Sequence, residues 1–216
     1  KNGELSLQNA GARLAGAKAL LQAGYKPENA NKAAFTLQLQ ADSFDVQRFY
    51  REVPLFAQMA PAAAKAKGTA SLEYALQGRL NAAMQPVLPS VAGKGELNLH
   101  QVQMMGFKLF SAISRTSGKD SINNPNLKQV TIKSSVANNI MTIERTKMRI
   151  FGFRPRFEGQ VSLDGKLNLR LRLGLPPFGL IGIPMTVTGT ADNPKVQMRR
   201  GKEGDELDEE ADPDND

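Results

Sequence analysis

The chain has 216 residues, 41% of them hydrophobic, enough to bury the core of one ordinary domain or two small ones. With no cysteine there is no disulfide framework, thiolate metal site or cysteine nucleophile, and a single histidine excludes a histidine-cluster metal centre. The formal charge of +7, from 28 Lys and Arg against 21 Asp and Glu, averages two unlike parts. Residues 203–216 carry nine of the acids and no base, and too few apolar groups to offset ordering entropy, so a disordered acidic tail is expected there. The remaining body, residues 1–202, holds 28 bases against 12 acids, about +16, and is expected to form one β-rich module. Absence of cysteine suits an oxidising compartment. No apolar run reaches the ~18 residues that a membrane-spanning helix needs. The chain opens Lys1-Asn2-Gly3-Glu4 without Met and without a secretion signal, so it is expected to begin inside a longer protein.

Along the chain, Gly3-Glu4-Leu5-Ser6-Leu7 is the first of three similar words, with Gly95-Glu96-Leu97-Asn98-Leu99 and Gly165-Lys166-Leu167-Asn168-Leu169. Each predicts a strand with its leucines on a buried face. Phe35 to Ala41 alternates in the same way. Ser43-Phe44-Asp45 ahead of Val46 to Lys67 predicts a capped helix that Pro54 and Pro61 kink or break. Ala70 to Leu76 is a further strand, residues 81–91 allow one short turn of helix, Gly93-Lys94-Gly95 reads as a glycine turn, and Glu96 to Val102 resumes the alternation. Phe107 to Ser117 predicts a helix closed by Gly118.

Lys128 to Val136 places Val130, Ile132 and Val136 on one face; Asn138-Asn139 then offers a turn before Ile140 to Ile143. Gln160 to Leu173 alternates on both sides of Asp164-Gly165, which predicts a hairpin with a type I′ turn. The fold class expected is mainly β: a curved antiparallel sheet, groove-like or sandwich-like, with two or three short helices packed on it.

Catalytic signals are weak. His100 sits in a strand word with no nucleophile or acid at a recognisable spacing, and reads as a structural or solvent-facing histidine. Gly93-Lys94-Gly95 lacks the spacing of a phosphate loop, the carboxylates are scattered, and Ser111, Ser114 and Ser117 lie in no nucleophile elbow. The expectation is a non-enzyme without cofactor or metal.

The cations are more informative. Arg145, Lys147 and Arg149 alternate with Thr146, Met148 and Ile150, and Arg170 and Arg172 with Leu169, Leu171 and Leu173, so each strand has a cationic wet face and an apolar face. In the run from Arg145 to Phe157, Phe151, Phe153 and Phe157 are expected to alternate into the apolar face; this favours a charged outer face, or one that meets lipid phosphate or a membrane surface, and no nucleic-acid partner is expected. Leu175 to Met185 is an uncharged connection rich in Pro and Gly: either a partner or membrane contact, or a loop folded over the core.

Taken in order, Leu127 to Ile132, Ile143 to Met148, Glu158 to Leu169 and Val187 to Val196, preceded by Gly93 to Leu99 and Phe107 to Ser114, are similar to the C-terminal region of the AsmA family. The resemblance covers residues 68–198 well and the first 67 more loosely; Val187 to Val196 and the Val161 to Leu169 hairpin are its most specific words. It implies a periplasmic part of a Gram-negative envelope protein anchored in the inner membrane by a helix that this chain does not include. It also implies a β-lined groove, related to that of TamB-like proteins, that acts in phospholipid transport and outer-membrane biogenesis without catalytic residues. On that reading Val130, Ile132, Val161, Leu163, Leu167, Leu169 and Leu171 are groove candidates. Arg145, Lys147, Arg149, Arg170 and Arg172 are headgroup or membrane-surface candidates. The alternative expectation is a scaffolding module that docks other envelope proteins without carrying lipid.

Overall fold

A computed structural model describes residues 3–199, so the acidic segment 203–216 lies outside the described residues. Eleven strands follow one another: β1 (Leu5–Leu14), β2 (Ala17–Asn29), β3 (Lys32–Asp45), β4 (Ala66–Leu80), β5 (Ala92–Met104), β6 (Asn126–Ala137), β7 (Ile140–Lys147), β8 (Arg154–Ser162), β9 (Leu167–Gly174), β10 (Gly182–Gly189) and β11 (Pro194–Met198). They form one antiparallel sheet in chain order, with β1 and β11 at its edges, so the sheet is open and not closed into a barrel. Of the groove-like and sandwich-like alternatives, a single sheet leaves the first.

Helices interrupt the meander at three places, the briefest being one 3-10 turn, Leu88–Ser90, between β4 and β5, within the 81–91 segment where a short turn is expected. Between β3 and β4 lie α1 (Val46–Glu52), α2 (Pro54–Met59) and a 3-10 turn, Pro61–Lys65. Asp45 caps α1, its side chain accepting the Arg48 N–H at 2.7 Å, and Pro54 and Pro61 each open a new piece, so the expected long helix breaks. Its last two residues, Ala66 and Lys67, already belong to β4. Phe44, Phe49 and Phe56 lock this segment to the sheet, with Phe44 and Phe49 stacked at 4.1 Å and Phe49 and Phe56 edge-on at 4.9 Å. Within α1, Glu52 pairs with Arg48 at 2.6 Å, and it ties the helix to the β1–β2 turn by accepting the Ala15 N–H at 2.8 Å; the Arg48 bond holds its carboxyl below the ordinary value. Between β5 and β6, α3 (Lys108–Ser117) ends at Gly118, whose φ of 68° is the left-handed cap expected.

The core lies on one face of the sheet in two clusters, one over β2–β6 and one over β9–β10, with Phe110 of α3 packed against both. The inner surface of β3 through β10 borders a single cavity. Laid flat, those eight strands would spread over about 34 Å at ~4.8 Å per strand. They reach one cavity because the sheet curls around it.

Three local expectations are corrected. Gly93 and Gly95 lie inside β5 rather than in a turn: Gly95 stands between Tyr74 and Ser134 in register, and a Cβ there would fall 2.5 Å from the Tyr74 ring and 2.2 Å from the Glu73 carbonyl oxygen. Its missing side chain makes room for the Tyr74 ring to cross β5. The Asp164-Gly165 connection is not a type I′ turn, because Gly165 has φ 91° while Asp164 keeps a negative φ. The Gly165 N–H bonds the Ser162 carbonyl at 2.8 Å, giving a longer loop in which Gly165 takes the left-handed position after an ordinary turn. In the first Leu-x-Leu word, Leu5 and Leu7 are 69% and 45% exposed, since β1 is an edge strand beyond the reach of the helices.

Candidate functional site

The cavity inside the curled sheet has a volume of about 360 Å³, within the ~300–1,000 Å³ typical of small-molecule sites. Of the groove candidates, Ile132, Val161, Leu167, Leu169 and Leu171 line it. Val130 shares their face but is packed into the core at 1% exposure, and Leu163 sits in the loop after β8, against the edge of the core. The opposite wall comes from residues outside the candidate set: Leu37 and Leu72 from β3 and β4, Phe56 and Met59 from α2, and Leu109 and Phe110 from α3. The strand members were readable from alternation at Phe35 to Ala41 and Ala70 to Leu76. Nothing in the local sequence of the helices says which strands they cover.

One polar rung crosses this apolar interior. Tyr74 lies in register with Gly95, and Gly95 with Ser134, so the phenol spans β5 and meets the Ser134 hydroxyl at 2.9 Å and donates to its carbonyl at 3.2 Å. Burial pushes the Tyr74 hydroxyl above its ordinary value of 10.0, with the Ser134 bond pulling the other way. The neutral phenol therefore persists at physiological pH, and the wall offers orientation without charge.

The cations lie on the other side of the sheet. Arg145, Lys147, Arg149 and Arg170 are exposed on the outer face, as alternation requires, and Arg145 bonds Glu158 of β8 at 3.2 Å. Lys147, Arg156 and Arg172 stand opposite one another across β7, β8 and β9, a row of like charges that disfavours pairing unless anions or carbonyls answer it. Arg172 departs from the expected wet face. It is 2% exposed, and its guanidinium donates to the carbonyls of Gly179 at 2.8 Å and Leu180 at 2.9 Å. The loop of residues 175–181 has folded over it, which alternation within a strand cannot foresee. Phe151 is a second correction: Phe153 and Phe157 turn inward, but Phe151 is 66% exposed at the tip of the β7–β8 hairpin.

Because the sheet separates the two sets, one lipid cannot place its chain in the cavity and its headgroup on Arg145, Lys147 or Arg170.

No protein-family model matches the chain, and no curated protein or solved structure matches it.

The remaining polar groups form no further centre among the described residues. His100 is exposed, its Nε2 2.7 Å from the Ser71 hydroxyl, which in turn accepts the Ser43 N–H at 3.1 Å. No group of three or more His, Asp or Glu among the described residues is placed to hold a metal. No helix of the described residues is long and apolar enough to cross a membrane.

Proposed function

We propose that this chain is a non-enzymatic periplasmic module of an inner-membrane-anchored AsmA-like protein, sheltering phospholipid acyl chains in its curled sheet as part of phospholipid transport and outer-membrane biogenesis. The observation that carries the proposal is the continuous apolar lining of one cavity by strands β3 to β10 and the helices facing them. An acyl chain gains about 0.8 kcal/mol for each methylene it takes out of water, and a wall without charge gives no site at which it would be trapped. The headgroup stays in water at the rim, and the outer cations meet the membrane surface. Exchange then needs no covalent step.

Organic extraction of the purified protein followed by mass spectrometry tests this reading. Recovery of phospholipid near one equivalent supports it, and lipid-free protein that also fails to take up a fluorescent fatty acid contradicts it. A second reading, a scaffolding module for other envelope proteins, draws on the open edge: among the described residues β1 pairs only with β2 and carries the exposed Leu5 and Leu7. A stoichiometric partner that persists when the cavity is blocked would favour it.

A further inference from the structure

The β7–β8 hairpin and the β9–β10 connection touch at one end of the sheet. Ile150 and Phe153 exchange both backbone hydrogen bonds, at 3.0 and 2.8 Å, leaving Phe151 and Gly152 as a two-residue turn with φ of 47° and 84°. Such a turn favours Asn, Asp or Gly at its first position, and a bulky residue there carries backbone strain. A Cβ built on Gly152 would lie 3.6 Å from the Pro176 ring of the second loop.

That second loop is held from within. The Leu175 N–H bonds the Ile181 carbonyl at 2.7 Å, the Gly179 N–H bonds the Leu175 carbonyl at 2.8 Å, and the buried Arg172 grips the Gly179 and Leu180 carbonyls. The result is a fixed presentation of Phe178, Leu180 and Ile181 at 58%, 78% and 74% exposure, on the loop whose Pro176 neighbours Gly152, the residue after the exposed Phe151. Leaving these side chains in water has no structural return.

Their surroundings indicate what covers them. From Arg145 to Phe157 there are five Lys and Arg and no acid, and from Gly165 to Ala191 there is no acid either. An apolar tip rimmed by cations complements an apolar layer rimmed by anions, which is the cross-section of an anionic phospholipid leaflet. We propose that the two loops form a bilayer-docking tip, in which Phe151, Phe178, Leu180 and Ile181 enter the acyl boundary while Arg149 and Arg154 meet headgroup phosphates. The choice of partner rests on the lipid-handling reading above; the surface used is what it adds.

The chain contains no Trp, so a single introduced Trp reports its own surroundings. Phe178→Trp and Ile181→Trp variants of the 216-residue chain, with Leu20→Trp on β2 as the remote control, are mixed with phosphatidylglycerol–phosphatidylethanolamine vesicles carrying brominated acyl chains. The expected result is a blue shift and bromine quenching at 178 and 181, none at 20, and weaker binding to phosphatidylcholine vesicles. A Leu180→Ser/Ile181→Ser double variant, with unchanged thermal unfolding, is expected to lose about tenfold or more in affinity for the anionic vesicles. Binding without quenching at 178 and 181, equal response at 20, full binding by the double variant, or a blue shift that grows with protein concentration in the absence of vesicles would each overturn the proposal; the last would make the tip a contact between copies. Uptake of a fluorescent fatty acid, measured in the same variants, separates the two readings. Its loss with tip insertion intact sinks the cavity and leaves the tip.

Discussion

Strands β2–β4 and β7–β11 build the same kind of inner wall and very different outer ones. Both regions turn leucines toward the cavity, Leu37, Leu39, Leu72 and Leu76 in the first and Leu167, Leu169, Leu171 and Leu173 in the second. Outside, β2–β4 carry five bases and four acids, whereas β7–β11 carry seven bases, one of them the loop-covered Arg172, and two acids. Burial dictates the inner face wherever the sheet curls, so its composition says only that a core or cavity is present. The outer face is under no such demand, and its asymmetry is the feature on which the proposed contact with an anionic surface draws.

The sharpest way to break that comparison is to exchange the faces within one strand. Leu169→Asp places a carboxylate in the apolar wall and is expected to cost about 3 kcal/mol or more, read as a fall in the denaturant midpoint. Arg170→Gln, the next residue but on the other face, is expected to change stability by less than about 1 kcal/mol. Equal effects would mean that the two faces are not distinct. Gly95→Ala comes next. Its Cβ would fall 2.2 Å from the Glu73 carbonyl oxygen and against the Tyr74 ring, so a loss of about 2 kcal/mol is expected in the same denaturation experiment.

Tyr74→Phe removes the polar rung and leaves the Ser134 hydroxyl short of a partner, an expected loss of about 1–2 kcal/mol. The variant also carries a pH signature. The folded-state pKa of Tyr74 is raised above its ordinary value of 10.0. The folded protein therefore holds this proton where the unfolded chain releases it, and stability present below pH 10.0 is lost as pH rises beyond it. Thermal melts of the parent and Tyr74→Phe proteins across that range should converge as the parent loses this contribution; parallel curves would sink the assignment.

The smallest expected effect concerns the outer face. Deleting residues 203–216 removes nine acids, and binding to anionic vesicles is expected to strengthen a few-fold at low salt and not at about 1 M, where the screening length is about 3 Å. Unchanged binding at low salt would leave the acidic segment without influence on this face.

Legibility of the molecule followed the same division. The meander, the β6–β7 turn at Asn138-Asn139 and the break of the first helix at Pro54 and Pro61 were open to reading because alternation and proline act locally. Five groove candidates reached the cavity for the same reason, as inward positions on paired strands. What escaped depends on contacts distant in sequence. Gly93 and Gly95 look like a turn until Leu76 and Tyr74 are seen beside them. Arg172 looks exposed until the 175–181 loop folds over it. Phe151 looks inward until the chain reverses at Gly152, a turn that Phe-Gly does not announce. The helical wall of the cavity was hidden because the apolar stripes of α2 and α3 show that something is covered without showing what.

The central claim is that an acyl chain occupies the curled sheet, and a photocrosslinker at position 169 tests it most directly. Leu169 lines the cavity, whereas Leu163 lies in the loop outside it and serves as the matched control. Irradiation in envelope membranes is predicted to attach phospholipid at 169 and not at 163. Attachment at neither position, with both proteins folded, or equal attachment at both, would contradict the account.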